Sequence, residues 1–104
     1  MNRSIKPEDL QKHIQGKFIL DVRREADRAA STEQLAYAHW KNPEQIAVWA
    51  EQLPRDQEII LYCVRGGAVS NSVVDTLQSK GLKASFIEGG IEGWKSAGGT
   101  VVKK

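Results

Sequence analysis

Residues 59–70 read Ile-Ile-Leu-Tyr-Cys-Val-Arg-Gly-Gly-Ala-Val-Ser and contain the single cysteine of this 104-residue chain. The apolar run Ile59–Tyr62 has the length and composition of a buried strand. Ser70 is a suitable N-cap for a helix over residues 70–80, where apolar side chains recur on one face. The stretch therefore predicts a strand, a cysteine, a glycine-containing loop and the N-terminus of a helix.

This arrangement suits a reactive thiolate. Backbone N–H groups, a helix N-terminus and nearby cations all favour the anionic form of a thiol. Gly66 and Gly67 allow the positive φ angles that turn successive N–H groups toward one point, and Arg65 adds positive charge. We predict that Cys63 is a nucleophile inside an anion-binding cradle. The other interpretation of these residues is a buried, unreactive cysteine at the end of a core strand.

The rest of the chain alternates predicted strands with predicted helices. Besides residues 58–62, strands are predicted at Ile5 and at residues 18–20, 37–40 and 84–87, with helices at 7–15, 43–53, 70–80 and 91–97. Residues 24–34 are predicted to form a helical turn plus a loop, and residues 100–102 an edge segment. Such alternation indicates an α/β fold with a mainly parallel sheet of about five strands and helices on both faces. With no repeat or linker, residues 1–104 are expected to form a single domain.

Two further polar residues are expected near Cys63. The strand that starts at Phe18 ends in Asp21, Val22 and Arg23. The carboxyl ends of parallel strands meet at one edge of a sheet, so Asp21 and Cys63 should share a rim. A carboxylate there needs a partner, which Arg23 or a backbone amide would supply.

Composition excludes several classes of function. The net charge of +2 and the dispersed basic residues do not indicate nucleic-acid binding. No apolar run is long enough for a membrane span, and the first seven residues lack the apolar core of a signal peptide. One cysteine and two histidines give no metal-ligand spacing, and no cofactor is expected. We expect a cytoplasmic location, where a free thiol stays reduced.

Four ordered motifs resemble those of single-domain rhodaneses, a sulfurtransferase family. They are residues 18–23 (Phe-Ile-Leu-Asp-Val-Arg), residues 59–63, the Cys63-x-x-Gly66 opening of the loop, and residues 81–91 followed by Trp94. The resemblance covers nearly the whole chain. It implies the three-layer rhodanese-like fold, with the mainly parallel sheet between two helical layers.

The resemblance also implies a mechanism. The Cys63 thiolate would take the outer sulfur of thiosulfate, a persulfide or a polysulfide, and pass it to cyanide or a thiol in a second step. The small anionic donor and the bound sulfur would lie in a cradle formed by Val64, Arg65, Gly66, Gly67, Ala68 and Val69. Asp21, Arg23 and Ser70 would support this loop. A sulfur-relay protein is a further possible partner.

The loop departs from the family pattern. Family members commonly carry Arg or Lys four or five residues after the cysteine and Ser at the sixth place. Here Gly67 and Ala68 occupy those places, Val69 is sixth and Ser70 is seventh. The loop is therefore one residue longer and Arg65 is its only cation, which weakens the case for dianionic thiosulfate as donor. This pattern is most similar to rhodanese domains associated with chromate-resistance proteins, which does not establish a chromate function.

Two alternative functions remain open at this stage. The missing loop cations are compatible with a non-catalytic module that binds an oxyanion, senses redox state or carries sulfur. The longer loop is also similar to that of cell-cycle phosphatases and arsenate reductases with the same fold. Those enzymes need Cys-x5-Arg, whose arginine clamps the oxyanion. Val69 stands at that place here, which disfavours phosphatase chemistry.

Overall fold

The computed structural model describes residues 3–104. In chain order its elements are β1 (Ser4–Ile5), α1 (Pro7–His13), β2 (Phe18–Asp21), α2 (Glu25–Ala30), β3 (Glu33–Leu35), β4 (His39–Trp40), α3 (Ile46–Trp49, between 3-10 turns at Pro43–Gln45 and Ala50–Gln52), β5 (Ile59–Tyr62), α4 (Ala68–Ser79), β6 (Ala84–Ile87), α5 (Gly90–Ser96) and β7 (Val101–Lys103). Five strands form one sheet in the order β1-β6-β5-β2-β4, and all its neighbours run parallel. The predicted parallel α/β fold is confirmed.

Side chains on the central strand alternate between two apolar layers. Ile59 and Leu61 pack with the inner faces of α3 and α4, whereas Ile60 and Tyr62 pack with α1 and α5. All four are at most 2 % exposed. A strand buried on both faces must be apolar throughout, which is why residues 59–62 read as a continuous apolar run.

A second, two-stranded sheet lies outside this predicted plan. Residues 100–102 were expected to form an edge segment. In the structure β7 (Val101–Lys103) pairs antiparallel with β3, a strand that the sequence did not predict. Leu35 of β3 is fully buried against the α5 side of the main sheet. The short, polar sequence of β3 does not indicate a strand. Its pairing depends on residues that lie 66 to 70 positions later in the chain, which local sequence patterns cannot show.

The helix after the loop begins earlier than predicted. Residue Gly67 is the N-cap of α4, and the first helical residue is Ala68 rather than Ser70. No side chain caps α4. Within its first turns, the backbone N–H of Asn71 donates to the carbonyl of Gly67 at 3.1 Å, and the side-chain Nδ2 of Asn71 donates to the same carbonyl at 3.0 Å. The prediction that Ser70 caps the helix is therefore wrong.

The 3-10 turn before α3 does have its expected cap. Asn42 accepts a hydrogen bond from the amide of Glu44 at 3.0 Å, and Pro43 follows at the first helical position. Within residues 3–104, no helix combines the length and the apolar character that crossing a bilayer requires.

Candidate functional site

The site lies at the carboxyl edge of β2 and β5. These strands are adjacent, with Asp21 opposite Tyr62, and the amide of Val22 donates to the carbonyl of Tyr62 at 2.9 Å. Cys63 follows Tyr62 directly. The predicted shared rim of Asp21 and Cys63 is thus present.

The loop after Cys63 is fastened by the start of α5. The amides of Ile91 and Glu92 donate to the carbonyls of Cys63 and Val64 at 3.0 and 3.1 Å. Gly90 has a φ of +61°, and a Cβ there would lie 2.4 Å from the carbonyl oxygen of Cys63. Only glycine allows the two backbones to come this close. The glycine pair at 89–90 is therefore a contact surface for the cysteine loop.

This contact leaves the amide side of the loop free. Among the residues that the structure describes, no protein group accepts a hydrogen bond from the N–H groups of residues 64–69. Unpaired N–H groups around a cysteine are donors for an anion. Gly66 has the predicted positive φ, +70°, but Gly67 does not, since its φ is −88°. Gly67 instead starts the helix.

A cavity of about 400 Å³ opens beside Cys63. Five of the six predicted cradle residues line it: Val64, Arg65, Gly67, Ala68 and Val69. Gly66 packs instead toward the backbone of residues 87–90, where a Cβ would approach the Gly89 nitrogen to 3.0 Å. Cys63 lines this opening and is itself 6 % exposed, so a small substrate would approach its sulfur from this cavity.

Two charged residues in this cavity were not predicted. Arg24 and Asp27 line it from the start of α2. Both side chains are exposed, and neither has a hydrogen-bond or ion-pair partner among residues 3–104. Arg24 follows the polar end of β2, so the rule that placed Asp21 at the rim also pointed to this residue. The cavity therefore holds two unpaired arginines, Arg24 and Arg65, and one carboxylate.

Asp21 and Arg23 form a buried pair beneath the loop. Arg23 Nη2 donates to Asp21 Oδ2 at 2.8 Å, its Nε donates to Oδ1 at 3.1 Å, and its backbone amide donates to Oδ1 at 3.0 Å. Each side chain is 1 % exposed. Burial alone would lower the pKa of Arg23, but the hydrogen bond and charge of Asp21 outweigh it and raise that pKa. The expected partners of Asp21 are confirmed, and neither charge reaches the cavity.

Tyr62 connects this pair to the cysteine strand. The guanidinium carbon of Arg23 lies 5.5 Å from the centre of the Tyr62 ring, and the phenol oxygen accepts from the amide of Leu35 at 3.3 Å. Burial raises the pKa of Tyr62, and the negative charge of Asp21 raises it further. Tyr62 therefore stays neutral. Its contacts with Arg23 and Leu35 hold the strand position directly before Cys63 in place.

Comparison with known proteins bears on this arrangement. The family model described as "Rhodanese-like domain" matches residues 6–97. The chain belongs to the rhodanese-like family. A rhodanese-related protein from Thermoplasma volcanium is similar in structure, with a TM-score of 0.88, 28 % identity, and coverage of 99 % of this chain and 100 % of that one. No protein of curated function matches the chain.

Two more solved structures share the rhodanese-like fold. The rhodanese-like domain of an Anabaena protein has a TM-score of 0.82 at 21 % identity and covers all of this chain and 81 % of its own. A protein from Lactobacillus plantarum has a TM-score of 0.81 at 22 % identity, over 98 % of this chain and 88 % of its own. At these identities the likeness concerns the fold alone.

Ser70 has a different place in this rhodanese-like loop from the one expected. It lies in the first turn of α4, is fully buried, and its hydroxyl oxygen has no hydrogen-bond partner within the described part of the chain. Its predicted role in supporting the loop can come only from packing in this structure. No group of three or more His, Cys, Asp and Glu side chains in residues 3–104 is arranged to hold a metal ion.

Proposed function

We propose that this protein is a sulfurtransferase that carries sulfane sulfur as a persulfide on Cys63. The observation that supports this most directly is the cavity beside Cys63, with its unpaired loop amides and two unpaired arginines. These groups suit an anionic sulfur donor and an anionic persulfide.

The reaction consists of two displacements. The Cys63 thiolate attacks the outer sulfur of the donor, a new S–S bond forms, and the bond to the donor's leaving group breaks with its electron pair. Thiosulfate thus releases sulfite, and a persulfide releases a thiolate. An acceptor then attacks the terminal sulfur of the Cys63 persulfide, and the thiolate of Cys63 leaves. Cyanide becomes thiocyanate in this step, and a thiol becomes a persulfide.

Free loop amides contribute to both steps. The negative charge stays on sulfur in the free thiolate, in the persulfide and in the transition states between them. Fixed N–H donors stabilise such charge without reorganising during the reaction. The hydrogen bonds from the start of α5, which we call the α5 clamp, matter here. The amides of Ile91 and Glu92 bind the carbonyls of Cys63 and Val64, so the N–H groups of the loop stay available to the substrate.

Intact-mass measurement tests this proposal. Incubation with thiosulfate, polysulfide or glutathione persulfide should add ~32 Da, the mass of one sulfur atom, and cyanide should remove it as thiocyanate. Because Cys63 is the single cysteine, the gain can be assigned without mapping, and Cys63→Ser should abolish it. A wild-type protein that gains no sulfur from any of the three donors would contradict the proposal.

A non-catalytic module is the second candidate, favoured by the carboxylate of Asp27 in the cavity and by the missing loop cations. Such a module would bind an oxyanion, sense redox state or carry sulfur for a partner protein. It would load at most once and would not turn over with donor and acceptor both present. Steady thiocyanate production beyond one equivalent per protein would exclude it.

A further inference from the structure

A second cavity of about 310 Å³ adjoins the Cys63 cavity. The two share three lining residues, Arg24, Ala68 and Val69, so they meet at the N-terminus of α4. The second cavity extends from there to the 3-10 turn Pro43–Gln45. A molecule whose sulfur lies at Cys63 could therefore place its remaining atoms in this second space.

The walls of the second cavity differ from those of the first. The residues that line it include four with apolar side chains, Pro43, Ile46, Val69 and Val73. Inorganic sulfur anions gain nothing from apolar walls, because their hydration is lost without a hydrogen bond in return. Carbon-bearing parts of a substrate do gain from them. The second cavity therefore fits an organic sulfur compound better than thiosulfate.

Opposite charges stand on the rim of this cavity. Arg24 lies where it joins the Cys63 cavity, and Glu44 lines it from the 3-10 turn. Both side chains are exposed, and neither forms an ion pair with another residue in the range 3–104. A ligand with one carboxylate and one ammonium group would complement both.

We propose that the cavity between residues 43–46 and the start of α4 binds the organic part of a small zwitterionic thiol, or of its persulfide, during sulfur transfer at Cys63. This inference rests on the proposed sulfurtransferase function and names one substrate class for it. Arg24 binds the carboxylate of this thiol, and Glu44 binds its ammonium group. In the forward direction the thiol sulfur attacks the terminal sulfur of the Cys63 persulfide, and Cys63 leaves as thiolate.

Comparing four thiols distinguishes the contact of Arg24 with a carboxylate from the contact of Glu44 with an ammonium group. Cysteine carries both groups, N-acetylcysteine has only the carboxylate, cysteamine has only the ammonium, and 2-mercaptoethanol has neither. Wild-type protein is first loaded with sulfur from polysulfide, and the second-order rate of sulfur removal is then measured for each thiol. The rates are compared between variants for the same thiol, so that differences in thiol reactivity cancel.

Each of the two charge substitutions should affect a different pair of thiols. Arg24→Gln should slow transfer to cysteine and N-acetylcysteine by about two- to fivefold, which is the range for an exposed ion pair, relative to its effect on 2-mercaptoethanol. Glu44→Gln should slow transfer to cysteine and cysteamine by a similar factor. Ser72→Phe, which fills the cavity from α4, should slow transfer to cysteine more than either charge change.

Matched substitutions outside the cavity serve as controls. Glu51→Gln removes an exposed carboxylate from the turn after α3, and Ser79→Phe places the same aromatic ring at the other end of α4. Both should leave all four rates at their wild-type values. If Arg24→Gln and Glu44→Gln change the rates for all four thiols equally, the charge contacts do not exist and the inference is overturned.

A binding measurement separates this inference from the proposed function. S-Methylcysteine cannot accept sulfur, so its binding does not depend on catalysis. Titrating it into the unloaded protein should shift the amide NMR signals of residues 43–46 and 68–73, and Ser72→Phe should weaken those shifts. Protein that loads sulfur but shows no such shifts would contradict the inference alone. Protein that shows the shifts but never loads sulfur would contradict the proposed function alone.

Discussion

Arg24 changes the electrostatic character of the cysteine loop. The loop itself has one cation, Arg65, and lacks the later basic residues of related loops. The cavity nevertheless contains a second cation, which comes from the N-cap position of α2. Positive charge near Cys63 is thus supplied by a neighbouring element, and Asp27 from the same helix partly offsets it.

Replacing this arginine tests its contribution to donor binding. Arg24→Gln should slow sulfur loading from thiosulfate by about two- to fivefold, because an exposed charge contact is worth up to ~1 kcal/mol. The effect should shrink at high ionic strength, since salt screens exposed charges. The measurement is the rate of mass gain at low and high salt. Arg55→Gln is the control, because Arg55 is exposed and donates to the carbonyl of Lys80. Equal loading by Arg24→Gln and wild type at low salt would contradict the prediction.

Gly90 shows how one missing Cβ positions the loop. Alanine there would put its Cβ 2.4 Å from the Cys63 carbonyl oxygen, at a φ of +61°. Backbone strain of this kind costs of order 1–3 kcal/mol, and the close contact adds to that cost. We expect Gly90→Ala to lower the free energy of unfolding by more than ~2 kcal/mol and to slow sulfur loading.

A second glycine provides the control for this substitution. Gly98 also has a positive φ, +84°, but a Cβ there would meet nothing within 4 Å. Gly98→Ala should therefore destabilise the fold through backbone strain alone, without a steric clash, and it should leave sulfur loading unchanged. Urea unfolding and intact-mass loading of both variants measure the two effects. Equal destabilisation by both would mean that contact with the loop is unimportant.

Among the elements, β2 carries the main polar support of the site. Its last residue, Asp21, is buried and accepts four hydrogen bonds from Arg23, one of them from the backbone amide. Arg23 also donates to the carbonyl of Glu33 at 3.0 Å, which ties β2 to β3. The indole N–H of Trp40 in β4 donates to the Arg23 carbonyl at 2.9 Å, so β4 is also connected to Arg23. One ion pair therefore joins three strands below the cysteine loop.

Breaking this pair should be costly. Asp21→Asn leaves the Arg23 charge buried without a counter-charge, and such losses typically cost about 3–5 kcal/mol. Glu58→Gln is the matched control, because it removes an ion pair to Lys17 in which the Glu58 side chain is 51 % exposed. That change should cost less than ~1 kcal/mol. Urea unfolding at neutral pH compares the two variants, and similar losses would show that the Asp21–Arg23 pair contributes little.

At the scale of the whole molecule, the two apolar layers are closed by contacts between distant parts of the chain. Tyr62 lies in the layer on the α5 side, and its phenol oxygen accepts from Leu35 of the second sheet. The second sheet in turn pairs β3 with β7 near the end of the chain. The ordering of the cysteine strand is therefore linked to residues about 40 positions later, although none of them lines the Cys63 cavity.

The burial of Tyr62 beside Asp21 should make the stability of the fold depend on alkaline pH, because burial and the charge of Asp21 raise the pKa of Tyr62. The raised pKa of Tyr62 means that the folded state holds the phenol proton more tightly than the unfolded state, whose ordinary value is 10.0. Tyr62 thus stabilises the fold fully below about pH 10, and this contribution is lost as the pH rises beyond that value. Wild-type protein should lose unfolding free energy between pH 9 and 11 more steeply than Tyr62→Phe.

The second tyrosine is the internal control. Tyr37 is 92 % exposed, so Tyr37→Phe should keep the wild-type slope. Urea unfolding across this pH range measures all three proteins. At neutral pH, Tyr62→Phe should also cost about 1–3 kcal/mol, because the amide of Leu35 loses its acceptor. Identical pH slopes for wild type and Tyr62→Phe would contradict the prediction.

The sequence by itself determined the order of the elements around Cys63 along the chain: an apolar strand, the cysteine, a glycine-containing loop and a helix. It also indicated the parallel sheet, the shared rim of Asp21 and Cys63, and the Asp21–Arg23 pair. These features depend on local periodicity and on residues close together in the chain. The N-terminus of α4 was misplaced at Ser70 because a residue type that suits an N-cap does not show where the helix begins: the helix starts at Ala68, and Ser70 is buried in its first turn.

Only the tertiary structure decided what surrounds the cysteine. The α5 clamp, the contribution of Arg24 and Asp27, the second cavity and the pairing of β3 with β7 all join residues far apart in the chain. Local patterns cannot encode such contacts, because each depends on how layers pack around the sheet. The position of Cys63 at the rim of the sheet was therefore predictable from the sequence, whereas the charges and apolar side chains that line the two cavities were set by packing.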